Sequence, residues 1–100
     1  MRARYSQRAV PRNVRHVRHA RAAALDELEP FLERLRTLPG LVEKTRGVFY
    51  RRSRAFLHFH EDPSGLHADV RVGDDFQRFR VETPEERDAL LEQIKTRDSA

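Results

Sequence analysis

The sequence contains no cysteine, and its 100 residues include only four glycines. The absence of cysteine excludes disulfides, thiolate nucleophiles and zinc ribbons, and it suits a reducing cytoplasm, where we expect the protein to reside. No apolar run approaches the roughly 18 residues that a membrane span needs, so we expect no membrane partner. Glycine-rich phosphate loops, nucleophile elbows and HExxH helices are also missing, so none of these motifs indicates a reaction.

Positive charge is concentrated at the start of the chain. Residues 1–24 hold seven arginines and no acidic residue, whereas residues 25–100 hold thirteen Lys and Arg against sixteen Asp and Glu. We predict a basic, flexible arm over residues 1–15. It is open to three interpretations: a polycation that meets nucleic acid or another anionic surface, the solvated first turns of a helix, or a start-site extension without function. We expect no secretory signal, because no apolar segment of about 7–15 residues follows the charges.

Leucine periodicity predicts a helix near the start of the folded part. Apolar residues recur every three or four positions over residues 25–38, and Pro39-Gly40 ends the pattern. We expect helical structure from about residue 16 to 37, with a bend at Pro30, because proline lacks the amide hydrogen that a helix interior uses. The alternative is a shorter helix that begins near Asp26.

Between residues 41 and 83 apolar and polar residues alternate, which predicts short β-strands. We place four strands at about 43–51, 54–61, 66–73 and 76–82. A second helix then begins after Thr83, because Thr83-Pro84-Glu85-Glu86 matches a capping box with proline at the first helical position. The predicted fold class is α+β: an N-terminal helix, a four-stranded antiparallel meander and a C-terminal helix, with both helices on one face of the sheet. We predict one domain over residues 16–97 and a frayed tail at 98–100.

The register of the second and third predicted strands follows from their apolar sides. Pairing Phe59 with Ala68 brings these sides together toward the helices, whereas a slip by one residue would turn polar side chains into the core. On the opposite side, this register makes polar residues face each other with Cβ atoms about 4.5–5.5 Å apart. The facing pairs are His60 with His67 and His58 with Asp69.

The same alternation predicts the rest of this outer side of the sheet. Continuing the meander around Gly73, we expect the pairs Asp69 with Arg80, His67 with Glu82 and Arg71 with Arg78. Two aromatic residues, Phe49 and Phe56, are expected to complete it.

Three histidines and a carboxylate on neighbouring strands predict a site for a divalent transition metal, because imidazole and carboxylate groups suit such ions. The candidate ligands are His58, His60, His67 and Asp69. The same surface could instead bind a small molecule, with Arg71, Arg78, Arg80, Phe49 and Phe56 as candidate contacts. A third interpretation is a structural polar face held by cross-strand ion pairs.

Two alternative functions use the same side of the sheet. Exposed phenylalanines and arginines on an antiparallel sheet are typical of a nucleic-acid stacking platform, although Asp69 and Glu82 in its middle oppose that interpretation. An uncovered aromatic and arginine surface is also typical of a homodimer interface. A histidine–aspartate pair can serve as a general base, but no nucleophile or oxyanion donor accompanies it, so catalysis is left open.

Two stretches carry a resemblance to known proteins: LPGL at residues 38–41 and RAFLHFHEDPSGLHADVRV at residues 54–72. They resemble a small bacterial family of luciferase domain-containing proteins, in which a His-x-His strand leads through a short turn into an Ala-Asp strand. The resemblance implies functional positions at His58, His60 and Asp69, and it points to fungal light-emitting enzymes that oxidise a hydroxylated pyrone with oxygen. The order helix, LPG, meander, helix is also similar to that of MmcQ/YjbR-like domains.

Overall fold

The computed structural model describes the backbone of residues 18–99 and the side chains of residues 20–96. The predicted basic arm over residues 1–15 lies outside the described residues. The fold class is α+β, as predicted. The elements in chain order are β1 (Arg18–His19), α1 (Ala22–Arg36), β2 (Leu41–Thr45), β3 (Val48–Arg51), β4 (Arg54–Asp62), β5 (Gly65–Val72), β6 (Asp75–Arg80) and α2 (Pro84–Ser99).

The sheet is antiparallel, and its strand order β2-β3-β4-β5-β6 follows the chain, while β1 pairs with β4 beside this path. The prediction of four strands is wrong because the first predicted strand, residues 43–51, is a hairpin of β2 and β3. Thr45 pairs with Val48, so Arg46 and Gly47 form the turn. Gly47 adopts a φ of 81°, which favours glycine, and its amide donates to Glu43 Oε2 over 2.9 Å.

Helix α1 begins at Ala22, so the predicted helical start near residue 16 is wrong for the described residues 18–21. Strand β3 pairs only with the first part of β4. The backbone of β1 therefore takes up the later part of the same edge, and the Ala20 amide continues the pairing by donating to Phe59 O over 3.1 Å. The alternative start near Asp26 is wrong as well, because α1 already begins at Ala22, and Pro30 lies inside it.

The predicted capping box at the start of α2 is confirmed. The Glu86 amide donates to Thr83 Oγ1 over 3.2 Å, and Glu86 Oε1 accepts from the Thr83 amide over 3.0 Å. Two amides that a helix start leaves without partners are thereby satisfied. The helix runs to Ser99, beyond the predicted domain end at residue 97. Neither helix in the described part of the chain has the length and apolarity that crossing a membrane requires.

One hydrophobic core joins both helices to the sheet. Phe31 of α1 meets Phe59 of β4 edge to face, with ring centroids 6.1 Å apart. We call the side of the sheet that carries Phe59 the core side and the opposite side the outer face. The largest fully buried side chains are Phe49, Leu28, Leu32, Leu35, Leu57, Leu90, Leu91, Ile94, Val70 and Val81.

The predicted register of β4 and β5 is confirmed along the whole hairpin. Phe59 pairs with Ala68, His60 with His67 and His58 with Asp69. This register keeps the apolar sides of the two strands together, because any slip by one residue would exchange the apolar and polar sides of a strand.

The predicted register of β5 and β6 is wrong by two residues. Val72 pairs with Asp75, so the turn consists of Gly73, which has a φ of 66°, and Asp74. A shift by two keeps each side chain on its predicted side but changes its partner. The observed pairs on the outer face are His67 with Arg80, Asp69 with Arg78 and Arg71 with Phe76.

Candidate metal centre on the outer face

Three of the four predicted metal ligands converge on the outer face. His58 Nδ1 lies 3.1 Å from His60 Nε2, and His60 Nε2 lies 3.0 Å from Asp69 Oδ2. One ligand atom from each of the three residues lies within 4.8 Å of the other two. The side chains of His60 and Asp69 are only 14% and 13% exposed, so this cluster is largely shielded from solvent.

Strand geometry explains why these three side chains meet. His58 and His60 are two residues apart on β4, so they point to the same side, and their rings touch at 73° with centroids 5.0 Å apart. Asp69 lies directly opposite His58 on β5. Its carboxylate reaches diagonally to His60, a neighbour that cross-strand spacing also allows.

His60 Nε2 lies between the other two residues of the cluster. It contacts both a ring nitrogen and a carboxylate oxygen. Since a neutral imidazole carries one N–H, this nitrogen has at most one proton for the two contacts. A metal ion placed between the three atoms would accept a lone pair from each of them.

The spacing of the ligand atoms also fits a metal. Ligands at about 2.1 Å from an ion and at right angles to each other lie about 3.0 Å apart, and tetrahedral ligands lie about 3.4 Å apart. Two of the three separations in the cluster, 3.0 and 3.1 Å, match the right-angled arrangement.

Asp69 is held as a carboxylate. Burial by itself raises the pKa of Asp69, but hydrogen bonds from His60 and Arg78 outweigh it, and the pKa lies well below its usual range. Arg78 grips the carboxylate with two bonds, Nε to Oδ1 over 2.8 Å and Nη2 to Oδ2 over 3.0 Å, and its own pKa is raised by that contact. The ionised form is the one that a metal ion requires.

His67, the fourth predicted ligand, does not join the cluster. Its backbone pairs with His60, but its Nδ1 faces Asp62 Oδ2 at 3.8 Å. This nitrogen is buried and makes no hydrogen bond to any residue in the described part of the chain. The ring is therefore close to a carboxylate without being bonded to it, and it lies apart from the three converging ligands.

The arginines predicted on the outer face have different partners from those expected. Arg78, rather than Arg80, holds Asp69, because of the two-residue shift of β6. Arg80 instead donates to Ser64 O over 2.7 Å and lies 3.4 Å from Glu86. Arg71 donates from Nε to Ala55 O over 2.7 Å.

Two phenylalanines, Phe49 and Phe56, differ from the prediction that they are exposed on the outer face. Phe49 pairs with Leu57 and is fully buried in the core, so its expected place on the outer face is wrong. Phe56 is also buried, beneath the Arg51 guanidinium at 4.4 Å from its ring centroid. Neither ring forms an exposed stacking surface of the kind that a nucleic-acid platform needs, so these two residues no longer support that interpretation.

Sequence reasoning missed Phe76 on this face. The ring is 40% exposed, lies 5.0 Å from the His58 ring and stacks beneath the Arg71 guanidinium at 4.7 Å. Reading Gly73-Asp74 as a two-residue hairpin turn would have placed Phe76 opposite Arg71.

Comparison with known proteins gives no match: no family model, no curated protein and no solved structure matches this chain. The resemblances to luciferase domain-containing proteins and to MmcQ/YjbR-like domains therefore stay predictions.

Proposed function

We propose that this protein binds a divalent first-row transition metal on its outer face. The ligands are His58 Nδ1, His60 Nε2 and Asp69 Oδ2. The observation that supports this most strongly is the convergence of these three atoms, with separations of 3.0 and 3.1 Å at His60, in a largely buried position.

The donor set suggests which ions are suitable and what they would do. Two imidazoles and one carboxylate suit ions such as Zn²⁺, Co²⁺ or Fe²⁺, and three protein ligands leave at least one coordination position for water or a small ligand. The Arg78 guanidinium keeps Asp69 ionised but also competes with the ion for its negative charge. We therefore expect moderate affinity, and we propose metal binding without assigning a reaction.

The proposal includes a cytoplasmic location and an outer face that neither helix covers. The contact of Phe31 with Phe59 supports this arrangement for α1. For α2 it is supported by Leu90, Leu91 and Ile94, which join the core cluster that contains Phe59.

Calorimetric titration of the chelator-treated protein with Zn²⁺, and titration with Co²⁺ followed by visible absorption, test the proposal. We expect one ion per chain and a Co²⁺ spectrum with nitrogen and oxygen ligands. His58→Ala and Asp69→Asn should each weaken binding by about 10-fold or more, since each removes one of three ligands.

His67→Ala is the matched control. It removes the same type of side chain from the same face, but this ring lies outside the converging group, so Zn²⁺ affinity should stay within about twofold of wild type. Equal losses in His58→Ala and His67→Ala would contradict the proposed ligand set. Undiminished Zn²⁺ binding in Asp69→Asn would contradict it too. Unfolding midpoints without metal establish that each variant is folded.

A further inference from the structure

A pocket lined mainly by arginines lies beside the turns that join β3 to β4 and β5 to β6. Its volume is about 400 Å³, within the range of small-molecule sites. None of its lining residues is a proposed metal ligand, so it is separate from the proposed metal function. The lining is formed by Arg51, Arg52, Arg54, Arg71, Phe56 and Val72, with Gly73 at the turn.

Two of these guanidinium groups are held in place by aromatic rings. Arg51 lies over Phe56 at 4.4 Å, and Arg71 lies over Phe76 at 4.7 Å. Arg71 is also anchored through Nε to Ala55 O, and its terminal Nη groups make no hydrogen bond within the described residues. A guanidinium that is already oriented loses less conformational freedom when it binds an anion.

Two of the pocket arginines, Arg54 and Arg71, have a weak carboxylate partner or none among the described residues. Arg54 faces Asp74 at 3.8 Å, but that carboxylate is 98% exposed, and an ion pair so wet and so long is weak. Arg71 is bonded to a backbone carbonyl rather than to a carboxylate. By contrast, Arg36 outside the pocket bonds two carboxylates, Glu29 and Glu43.

The turn that carries Arg52 is strained. Arg52 and Ser53 have φ values of 54° and 67°, and Arg51 pairs with Arg54 on either side of them. A two-residue hairpin turn of this kind favours Asn-Gly, because side chains with a Cβ atom disfavour positive φ. Strain at such a position is often retained where a side chain has a function, and here the strained residue lines the pocket.

We propose that this pocket binds a small organic phosphate. The guanidinium groups of Arg52, Arg54 and Arg71 hold the phosphate, and the apolar part of the ligand contacts Phe56 and Val72. Arginine matches phosphate oxygens with two parallel hydrogen bonds, and these three guanidinium groups suit a dianion better than a carboxylate of charge −1.

Titrations with phenyl phosphate, inorganic phosphate and benzoate, in the presence of chelator, test the class of ligand. We expect phenyl phosphate to bind several-fold more tightly than inorganic phosphate, because its ring contacts the apolar wall. We also expect it to bind more tightly than benzoate. Benzoate affinity equal to or above that of phenyl phosphate would overturn the assignment to phosphate.

Variants locate the binding. Arg71→Gln and Arg52→Gln should each weaken phenyl phosphate binding by about 10-fold, the effect of losing one charged hydrogen bond. Arg34→Gln makes the same charge change outside the pocket, at a residue paired with Asp88, and should leave the affinity within about twofold. Arg12→Gln makes the same charge change within residues 1–15 and should also leave the affinity within about twofold. Losses in these controls as large as those in the pocket variants would show diffuse charge attraction and overturn the proposal.

Substitutions in the strained turn separate the role of Arg52 in binding from its effect on stability. Ser53→Gly should raise the unfolding midpoint and leave phenyl phosphate affinity unchanged, because it relieves a positive φ without removing an arginine. Arg52→Asn should raise the midpoint as well but weaken binding by about 10-fold. A midpoint gain in Arg52→Asn without any loss of affinity would contradict the role of Arg52 in binding.

Discussion

The β4–β5 hairpin has twelve paired positions, which alternate between its two sides, and the two sides differ in the contacts that their side chains make. On the core side, Leu57, Phe59, Ala68 and Val70 are at most 2% exposed and make only apolar contacts with one another. On the outer face, His60, His67 and Asp69 are polar, yet they are still largely shielded, at 13–14% side-chain exposure.

This difference shows that burial serves two purposes in one hairpin. Apolar burial on the core side stabilises the fold at about 25 cal/mol per Å². Burial of imidazole and carboxylate groups on the outer face has a desolvation cost that their mutual contacts must offset. Apolar burial therefore does not explain the polar residues of the outer face, three of which, His58, His60 and Asp69, are the ligands proposed above.

The core side should be the more sensitive to truncation. Leu57→Ala should lower the free energy of unfolding by about 2–5 kcal/mol, because Leu57 is fully buried and its truncation leaves a cavity in the core. Urea denaturation measures this loss. Val42→Ala, at a position 55% exposed, is the control and should cost less than about 0.5 kcal/mol. Similar costs for the two variants would show that the core side is not the main source of stability.

The turn between β4 and β5 keeps both sides in register, and its glycine should be next in sensitivity. Gly65 has a φ of 126°, and an added Cβ would lie 2.6 Å from Glu82 Oε1, which accepts from the Leu66 amide. Gly65→Ala should therefore cost about 1–3 kcal/mol in thermal or urea unfolding.

Gly73→Ala separates strain from contact in that experiment. Gly73 also has a positive φ, of 66°, but an added Cβ would meet nothing within 4 Å. This variant should cost only about 1 kcal/mol, from the backbone alone. Equal costs at the two glycines would mean that the contact with Glu82 contributes nothing.

An ion pair between α1 and β2 offers a pH-dependent test away from the outer face. Arg36 donates to both oxygens of Glu43, over 2.6 and 3.1 Å, and these bonds lower the pKa of Glu43 from 4.5. Because the folded pKa lies below the unfolded one, the stabilisation is present above about pH 4.5 and is lost as the pH falls through the folded pKa.

Glu43→Gln should accordingly cost about 1 kcal/mol at pH 7. The difference from wild type should shrink as the pH falls below about 4.5, because protonation of Glu43 then removes the same charge that the substitution removes. Unfolding curves of both proteins from pH 7 to pH 3 measure this. A difference that grows on acidification would have the wrong sign for a lowered pKa.

The outer face should be the least sensitive in stability. His58→Ala in the presence of chelator should cost less than about 1 kcal/mol and keep cooperative unfolding, because His58 is only partly buried and contributes cross-strand contacts of that size. Circular dichroism during heating checks both points. Loss of cooperative unfolding would show that the outer face is structural and would remove the contrast between the two sides.

Local patterns were enough to predict several features. Alternation along β4 and β5 predicted their register, since one apolar side leaves a single way to pair them. Thr83-Pro84-Glu85-Glu86 predicted the start of α2, because a capping box involves only residues three apart. Both features depend on neighbours in sequence or on one hairpin.

Features that depend on turn length or on distant strands were not predictable in this way. The Arg46-Gly47 turn divides the segment 43–51 that was predicted as one strand, and the resulting hairpin buries Phe49 on the core side. The two-residue turn at Gly73 moves β6 by two positions, which gives Asp69 the partner Arg78. Alternation cannot detect the change in β6, because a shift by two leaves every side chain on the same side.

The sequence by itself determined that His58, His60 and Asp69 share one side of a two-stranded hairpin, because side-chain alternation and apolar burial leave no other register. Only the tertiary structure decided that His67 turns toward Asp62, that Arg78 holds Asp69 and that four arginines surround one pocket. These contacts depend on side-chain rotation and on strand ends brought together by separate turns, which no local pattern records.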